Sequence, residues 1–477
     1  MKKTLIALAS VAALGAAHAD VTLYGVIDIA LSTTSNQLSS DGNNPANSNF
    51  YPSTAQSATT GRQTGFMNGA LTPSRFGIKG SENLEFAPGL KANFVLEGRF
   101  QPAAGFTPND HSLLASKNGT AQYGGGDSAL NNGIFNSQST VGLSGGFGSV
   151  DVGYQLNLLG EAFGANDPYG AGYVSPLGTY GGLTGMGSSY TGRTSNAIKF
   201  KTDFGTTKLG LFYSMGGETG NSAAGSQWGL SVANAITPTL NVTVVAQAMK
   251  DNVAFGSSPS ASTQTLDTAA NQTAGTAATL YVPGLNATYF DSSSASIMGN
   301  WMVANDTKLY AGYSSITQSN PTDAAADKLI SQVQGVPINQ TAYNGINVNK
   351  FQSNLKTTVA WAGVKYDFDK MNHIMAAYYL RSVSNYQAYT TNAATGAGSA
   401  AAGTPALYSD NKQNIYTAMY DRDLSKQTDV YAYVILNNFD TQGTATATNS
   451  ATTPVSQWNT LGGLNINQYG VGMRMKF

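Results

Sequence analysis

The segment Leu464-Asn465-Ile466-Asn467-Gln468-Tyr469-Gly470-Val471-Gly472-Met473-Arg474-Met475-Lys476-Phe477 alternates with a period of two. Phe477, Met475, Met473, Val471 and Tyr469 fall on one face. Lys476, Arg474, Gly472, Gly470 and Gln468 fall on the other. Such alternation belongs to a half-buried strand, not to a helix. Two environments satisfy it. In a soluble sandwich the apolar face packs on a second sheet; in a membrane barrel it faces lipid while the polar face lines water. The alternation reaches the last residue, which suits a final strand closing a barrel against its first. An edge strand of a soluble sheet remains open at this point.

Working outward, the chain of 477 residues begins like an export signal. Lys2 and Lys3 precede an apolar run from Leu5 to Ala17, and Ala17-His18-Ala19 is a small-x-small cleavage site before Asp20. A spanning helix needs about 20 apolar residues, and neither this run nor any later one reaches that length. Membrane segments, if present, are therefore strands. Residues 1–19 are expected to be removed and 20–477 to form one domain. Removing Lys2 and Lys3 from 25 cations leaves 23 against 26 acids, a formal charge of −3. That balance is too small and too mixed to point to nucleic acid. There is no cysteine, so closure has to come from backbone pairing. His18, His111 and His373 are the only histidines. With His18 in the signal, a histidine-rich metal site is excluded, and no cofactor is expected. Sparse charge, 54 glycines and 25 tyrosines fit tightly turned β structure.

Strand patterns fall at 21–32, 70–81, 90–100, two about the hairpin Gly145-Gly146-Phe147-Gly148, then 195–204, 208–216, 227–236, 240–250, 295–304, 308–316, 355–368, 373–384, 413–422, 429–439 and the terminal segment. Short turns such as Pro88-Gly89, Asn305-Asp306 and Asp369-Lys370-Met371 alternate strictly with long polar connections. A soluble sandwich has no reason to put every long loop at one end. A membrane barrel with short periplasmic turns and long outer loops does. The expected fold is all-β: a 16-stranded antiparallel transmembrane β-barrel, too wide to be filled by side chains and so enclosing water. The patterns at 308–316, 355–368 and 429–439 do not alternate cleanly. The third long connection, about 157–193, stands apart. It carries Leu158, Leu159, Phe163 and Tyr169 with Glu161 and Asp167, so it is expected to pack against something.

Several stretches carry a family resemblance: Val21-Thr22-Leu23-Tyr24-Gly25-Val26-Ile27-Asp28, Ser74-Arg75-Phe76-Gly77-Ile78-Lys79-Gly80-Ser81-Glu82-Asn83-Leu84, Gly89-Leu90-Lys91-Ala92, Val141-Gly142-Leu143-Ser144-Gly145-Gly146-Phe147-Gly148-Ser149-Val150, Ser195-Asn196-Ala197-Ile198-Lys199-Phe200 and the terminal segment. Together they resemble the gram-negative general diffusion porins, the trimeric outer-membrane porins of the Burkholderia and Neisseria type. The resemblance implies a homotrimer embedded in outer-membrane lipid, exported through the periplasm, that passes small hydrophilic solutes and ions. It implies that loop 3 folds into the lumen with acids facing a basic cluster on the wall. It also implies that Phe477 is read by the barrel-assembly machinery. Arg75 matches the family's wall arginine. Where relatives often carry further arginines, this chain has Asn136-Ser137-Gln138 and Gly153-Tyr154-Gln155. The basic cluster is therefore expected to be thinner.

By alternation Lys91 and Arg99 share the lumen face with Arg75, and loop 3 supplies Glu161 and Asp167. These five are the candidate constriction, because charges at a narrow point set ion preference. The bland alternative is solvated lumen surface. Glu97 is read as a partner of a neighbouring cation, and Arg193 as either an anchor of loop 3 or a pore residue. Two other functions stay in view: a solute-selective porin, and a barrel-anchored surface adhesin or binding protein whose loop 3 lies outside the barrel. A serine-histidine enzyme would need a histidine base, and the mature chain offers His111 and His373.

Overall fold

The computed structural model describes residues 20–38, 60–102, 134–177, 192–216, 223, 225–257, 263–266, 278–281, 285–319, 332–333, 336–337, 347–351, 354–383, 386–392, 406–408, 411–441 and 465–477. The expected export signal and His111 lie outside the described residues.

Sixteen strands form a closed antiparallel ring. β1 (Asp20–Leu38) pairs with β2, which runs in two pieces, Thr60–Asn68 and Arg75–Asn83. There follow β3 (Lys91–Arg99), β4 (Gln138–Gly145), β5 (Gly148–Leu156), β6 (Arg193–Phe204), β7 (Thr207–Ser214), β8 (Gln227–Ala235) and β9 (Leu240–Ser257). β10 (Leu285–Ala304), β11 (Thr307–Ser319), β12 (Leu355–Asp367), β13 (Asn372–Val383), β14 (Asn411–Asp423), β15 (Thr428–Thr441) and β16 (Asn465–Lys476) complete it. β16 pairs with β1 from Val26↔Lys476 to Thr34↔Gln468. Reciprocal bonds between Gly25 and Phe477, at 2.9 and 3.0 Å, finish the seam. Among the described residues, closure leaves no edge of the ring exposed to lipid.

The faces follow the alternation. On β16 Tyr469, Val471, Met473 and Met475 are exposed outward, and Gln468 is buried. On β1 Leu23, Ile27 and Leu31 are exposed, while Val26, Asp28, Ala30 and Ser32 are buried. The inward glycines of β16 make room for aromatics of β15. A Cβ on Gly470 would fall 2.6 Å from the Tyr433 ring, and one on Gly472 would overlap Tyr431.

Three features depart from the expected pattern. The long connections are partly strand: β9 and β10 stay paired out to Ser257↔Leu285. At 18 and 20 residues these strands far exceed the roughly 9–11 residues that span a bilayer. The second strand does not begin at Ala70; β2 is broken over 69–74, where Gly69 has φ +64° and Pro73 has no amide hydrogen to donate. Finally, much of the inward face of β12–β15 is apolar. Val359, Trp361, Met375, Tyr379, Ile415, Tyr431, Tyr433 and Ile435 are all buried inside the ring. Much of both faces is therefore apolar, which blurs the alternation of β12 and β15 in the sequence.

What covers part of that wall is the third connection, including a helix the sequence reading did not contain. In α1 (Leu158–Ala165), Asn157 caps the N-terminus by accepting from the Gly160 amide at 2.8 Å. Leu158, Leu159 and Phe163 are fully buried, and Phe163 meets the Trp361 ring edge-on at 5.6 Å.

Gly470→Val should hinder the seam, because the new side chain meets the Tyr433 ring and the Leu31 carbonyl. Overpacking of this kind costs about 1–3 kcal/mol. The expected outcome is a lower yield of heat-modifiable folded barrel on gels; an undiminished yield would contradict the packing described.

Candidate functional site

Loop 3 can be followed through the barrel by its bonds. It leaves β5 and lays Leu158 against the small inward positions Gly210 and Gly229 of β7 and β8. Its helix ends at Asn166, whose carbonyl accepts from Trp361 Nε1 at 3.0 Å and whose side chain accepts from Asn300 at 2.9 Å. Asp167 then gathers four donors. Tyr379 Oη lies at 2.5 Å, Ser175 Oγ at 3.1 Å, and the amides of Tyr169 and Ala171 at 3.1 and 2.9 Å. Tyr169 Oη donates to the Met375 carbonyl at 3.3 Å. Beyond Asp167 the Val174 amide donates to the Ala70 carbonyl, in the break of β2, at 2.9 Å. The loop therefore runs inside the ring along β7–β13 and returns to β2.

The wall from β2 to β6 carries the charge. Arg75 and Arg99 are direct cross-strand partners, an arrangement of like charges that needs compensation. Glu97 supplies it. Its carboxylate sits 3.3 Å from Arg75 Nε and accepts from Tyr24 Oη at 3.0 Å and from Ser137 Oγ. Arg193, at the start of β6, donates from Nε to the Ser137 carbonyl at 2.6 Å. A bulge carries it there: β6 has one extra residue between Thr194 and Ala197, with Asn196 at φ 51° and Gly153 opposite at φ 133°. A second group lies along β6. Lys199 and Lys201 each hold one oxygen of Glu161 at 2.6 Å. Below α1, the turn-side ends of β4–β9 enclose a cavity of about 610 Å³ lined by Glu161, Lys201, Lys208 and Ser231 among others.

A sequence profile of the Gram-negative porin family matches residues 4–442. The chain belongs to the Gram-negative porin family. An outer membrane porin of Bordetella pertussis is 31% identical over 240 residues, covering 49% of this chain and 53% of the relative. An outer membrane porin of Delftia acidovorans is 30% identical over 218 residues, covering 45% and 49%. The chain spans about half the length of the relatives it matches. In structure it is similar to an anion-selective porin from Comamonas acidovorans, with TM-score 0.57 and 18% identity over 96% of this chain and 100% of that one. That likeness shows the fold. The porin is a protein of the Gram-negative outer membrane.

The candidate residues divide. Arg75 and Arg99 stand together, joined by Arg193 and their partner Glu97. Asn136 and Ser137 scaffold this group: the Asn136 side chain accepts from the Arg99 amide at 2.6 Å, and Ser137 holds both Glu97 and Arg193. The β6 bulge thus brings a third guanidinium to the cluster. Lys91 lies apart, at the turn end of β3 opposite Asn83; eight residues at about 3.4 Å each put it roughly 27 Å along the strand from Arg99. Glu161 faces Lys199 and Lys201 rather than the arginines. Asp167 is fully buried against Tyr379; it organises the loop instead of presenting a charge to the lumen. Lys199 lay within a family stretch and on the inward parity of β6, yet sequence reasoning did not single it out.

The two loop carboxylates respond oppositely to pH. Burial pushes Glu161 up, but Lys199 and Lys201 outweigh it and hold the carboxyl below its ordinary value. Its stabilising effect is present above the ordinary range and is lost as pH falls through the lowered value. Burial pushes Asp167 up to about 6 against its hydrogen bonds. Its docking is favoured below the ordinary value and weakens as pH rises through about 6. Acid should therefore free α1 from β6 while the Asp167 anchor holds. E161Q should raise current noise at neutral pH, acidifying the wild type well below the ordinary carboxylate range should reproduce that noise, and E161Q should respond less to acid. Asp167→Ala removes the acceptor shared by four donors, at about 1–3 kcal/mol for each donor left buried without a partner, and should raise conductance and noise by releasing loop 3. Unchanged currents in both variants would contradict these anchors.

Proposed function

We propose that this porin is a passive diffusion channel for small hydrophilic solutes and ions, assembled as a homotrimer. The observation that carries the reading is loop 3. It lies inside the ring, fixed to the apolar wall of β7–β13, so the polar wall of β2–β6 is the side along which water and solutes pass. An adhesin reading calls for that loop outside the barrel, and its inward course favours the channel.

Along the polar wall Arg75, Arg99, Arg193, Lys199 and Lys201 are opposed by Glu97 and Glu161. The excess of cations, inside low-dielectric walls that focus the field, supports a weak preference for anions. No catalytic step is assigned. The ring nitrogens of His373 meet the carboxylates of Asp367 and Asp423 at 2.6 and 3.3 Å, a set without a nucleophile. Phe477, exposed on the outer face beside Gly25, is the proposed signal for the barrel-assembly machinery.

In a planar bilayer under a salt gradient, the purified protein should show steady openings in three equal steps and a reversal potential of anion-preferring sign. Arg75→Gln should shift that potential toward cations. Correctly folded protein that passes no current would sink the channel reading.

A further inference from the structure

The break in β2 is where three parts of the barrel meet, and one buried carboxylate holds it. Asp28 lies on β1 with no solvent exposure. One of its oxygens accepts from the Leu71 and Thr72 amides, at 3.1 and 2.8 Å. The other accepts from Tyr431 Oη on β15. The Asp28 amide donates to Ser74 Oγ at 2.8 Å, and that hydroxyl donates back to the Asp28 carbonyl at 3.0 Å. Tyr431 Oη also accepts from the Ala70 amide at 3.1 Å. Every polar group of residues 70–72 that these bonds involve would otherwise be an unpaired backbone donor inside a membrane barrel, at about 1–3 kcal/mol each.

The conformation so fixed is used twice. On one side it receives the far end of loop 3. The Ala70 carbonyl accepts from the Val174 amide at 2.9 Å, and Gly172 comes so near the Leu71 carbonyl that a Cβ there would collide with it. On the other side it sets Arg75, whose Nη1 donates to Thr72 Oγ1 at 3.3 Å while its Nε faces Glu97. Thr72 holds the guanidinium on the side away from Glu97.

We propose that Asp28, with Tyr431, is a positioning residue for permeation: it shapes the break in β2 so that loop 3 and Arg75 are placed together. The proposal rests on the channel reading. Its signature is a sign. If Asp28 acted only as a negative charge, Asp28→Ala and Asp28→Asn would both shift selectivity toward anions. If it acts by position, Asp28→Ala frees Thr72, lets Arg75 fold onto Glu97, and shifts selectivity toward cations. Asp28→Asn keeps the geometry: its carbonyl accepts from the Leu71 and Thr72 amides, and its amide donates to Tyr431 Oη.

The test uses the full-length protein and its D28A, D28N, Y431F, R75Q and D28A/R75Q variants, each checked for heat-modifiable folding. Reversal potentials are measured in a potassium chloride gradient, and protease cleavage of loop 3 is followed in parallel. The expected result is that D28N matches wild type and D28A moves toward the R75Q value. The double variant should then equal R75Q. Loop 3 should be cut faster in D28A, Y431F and the double variant, and not in D28N or R75Q. If D28A fails to fold, Y431F carries the same readings, since it keeps the ring and removes only the hydroxyl. Folded D28A or Y431F with wild-type potential and wild-type cleavage overturns the proposal, as does a shift toward anions shared by D28A and D28N. A wild type that passes no current overturns the channel reading alone; the cleavage pattern still decides whether Asp28 holds the break.

Discussion

An amide or carbonyl in hydrocarbon has no solvent partner, so every backbone group of a lipid-facing strand needs another strand. That constraint fixes the seam between β1 and β16, and the rest of the porin is built around it. The residues flanking the seam carry two duties. Outward they are Leu23, Ile27, Val471 and Met473, which face lipid. Inward they are Asp28, Ser32, Gln468 and Arg474, which bond to neighbours. The glycines of β16 are the cost of placing Tyr431 and Tyr433 behind it, and Tyr431 in turn reaches Asp28.

A ring of sixteen strands encloses more space than its wall side chains fill. Here the two halves of the interior meet that problem differently. β12–β15 turn aromatic and aliphatic side chains inward, and these would be exposed to water without a cover. Loop 3 covers part of that wall with Leu159, Phe163 and Tyr169, and its own polar groups are satisfied by Asn166 and Asp167. The other half, β2–β6, stays polar and cationic. The asymmetry of the lumen is therefore a packing result before it is an electrostatic one.

The ring itself was legible in the sequence because most strands see one environment per face. β16 shows this best: a strict alternation ending on Phe477. The strands that read poorly, at 308–316, 355–368 and 429–439, are among those whose inward face also meets apolar partners, as Tyr310, Trp361, Tyr431 and Ile435 do. The break in β2 had a signal that the pattern reading passed over, since Pro73 in an otherwise strand-like stretch argues against an unbroken central strand. The candidate site was legible only in part. Arg75 and Arg99 follow from parity. Arg193 depends on a bulge at Asn196 that alternation has no means of showing. Asp167 looked like a pore acid because charge is visible in a sequence and burial against Tyr379 is not.

The central claim is that solutes pass along β2–β6, while the opposite wall is sealed by loop 3. The chain has no cysteine, so a single introduced thiol reports accessibility without background. Asn93→Cys places one on the inward face of β3, and Ala377→Cys places one on β13 beneath loop 3, close to Pro168, without touching the Asp167 anchor. A bulky, membrane-impermeant thiol reagent should cut the bilayer current of Asn93→Cys and leave that of Ala377→Cys unchanged. Block at Ala377→Cys without block at Asn93→Cys would put the path on the other wall and contradict the account.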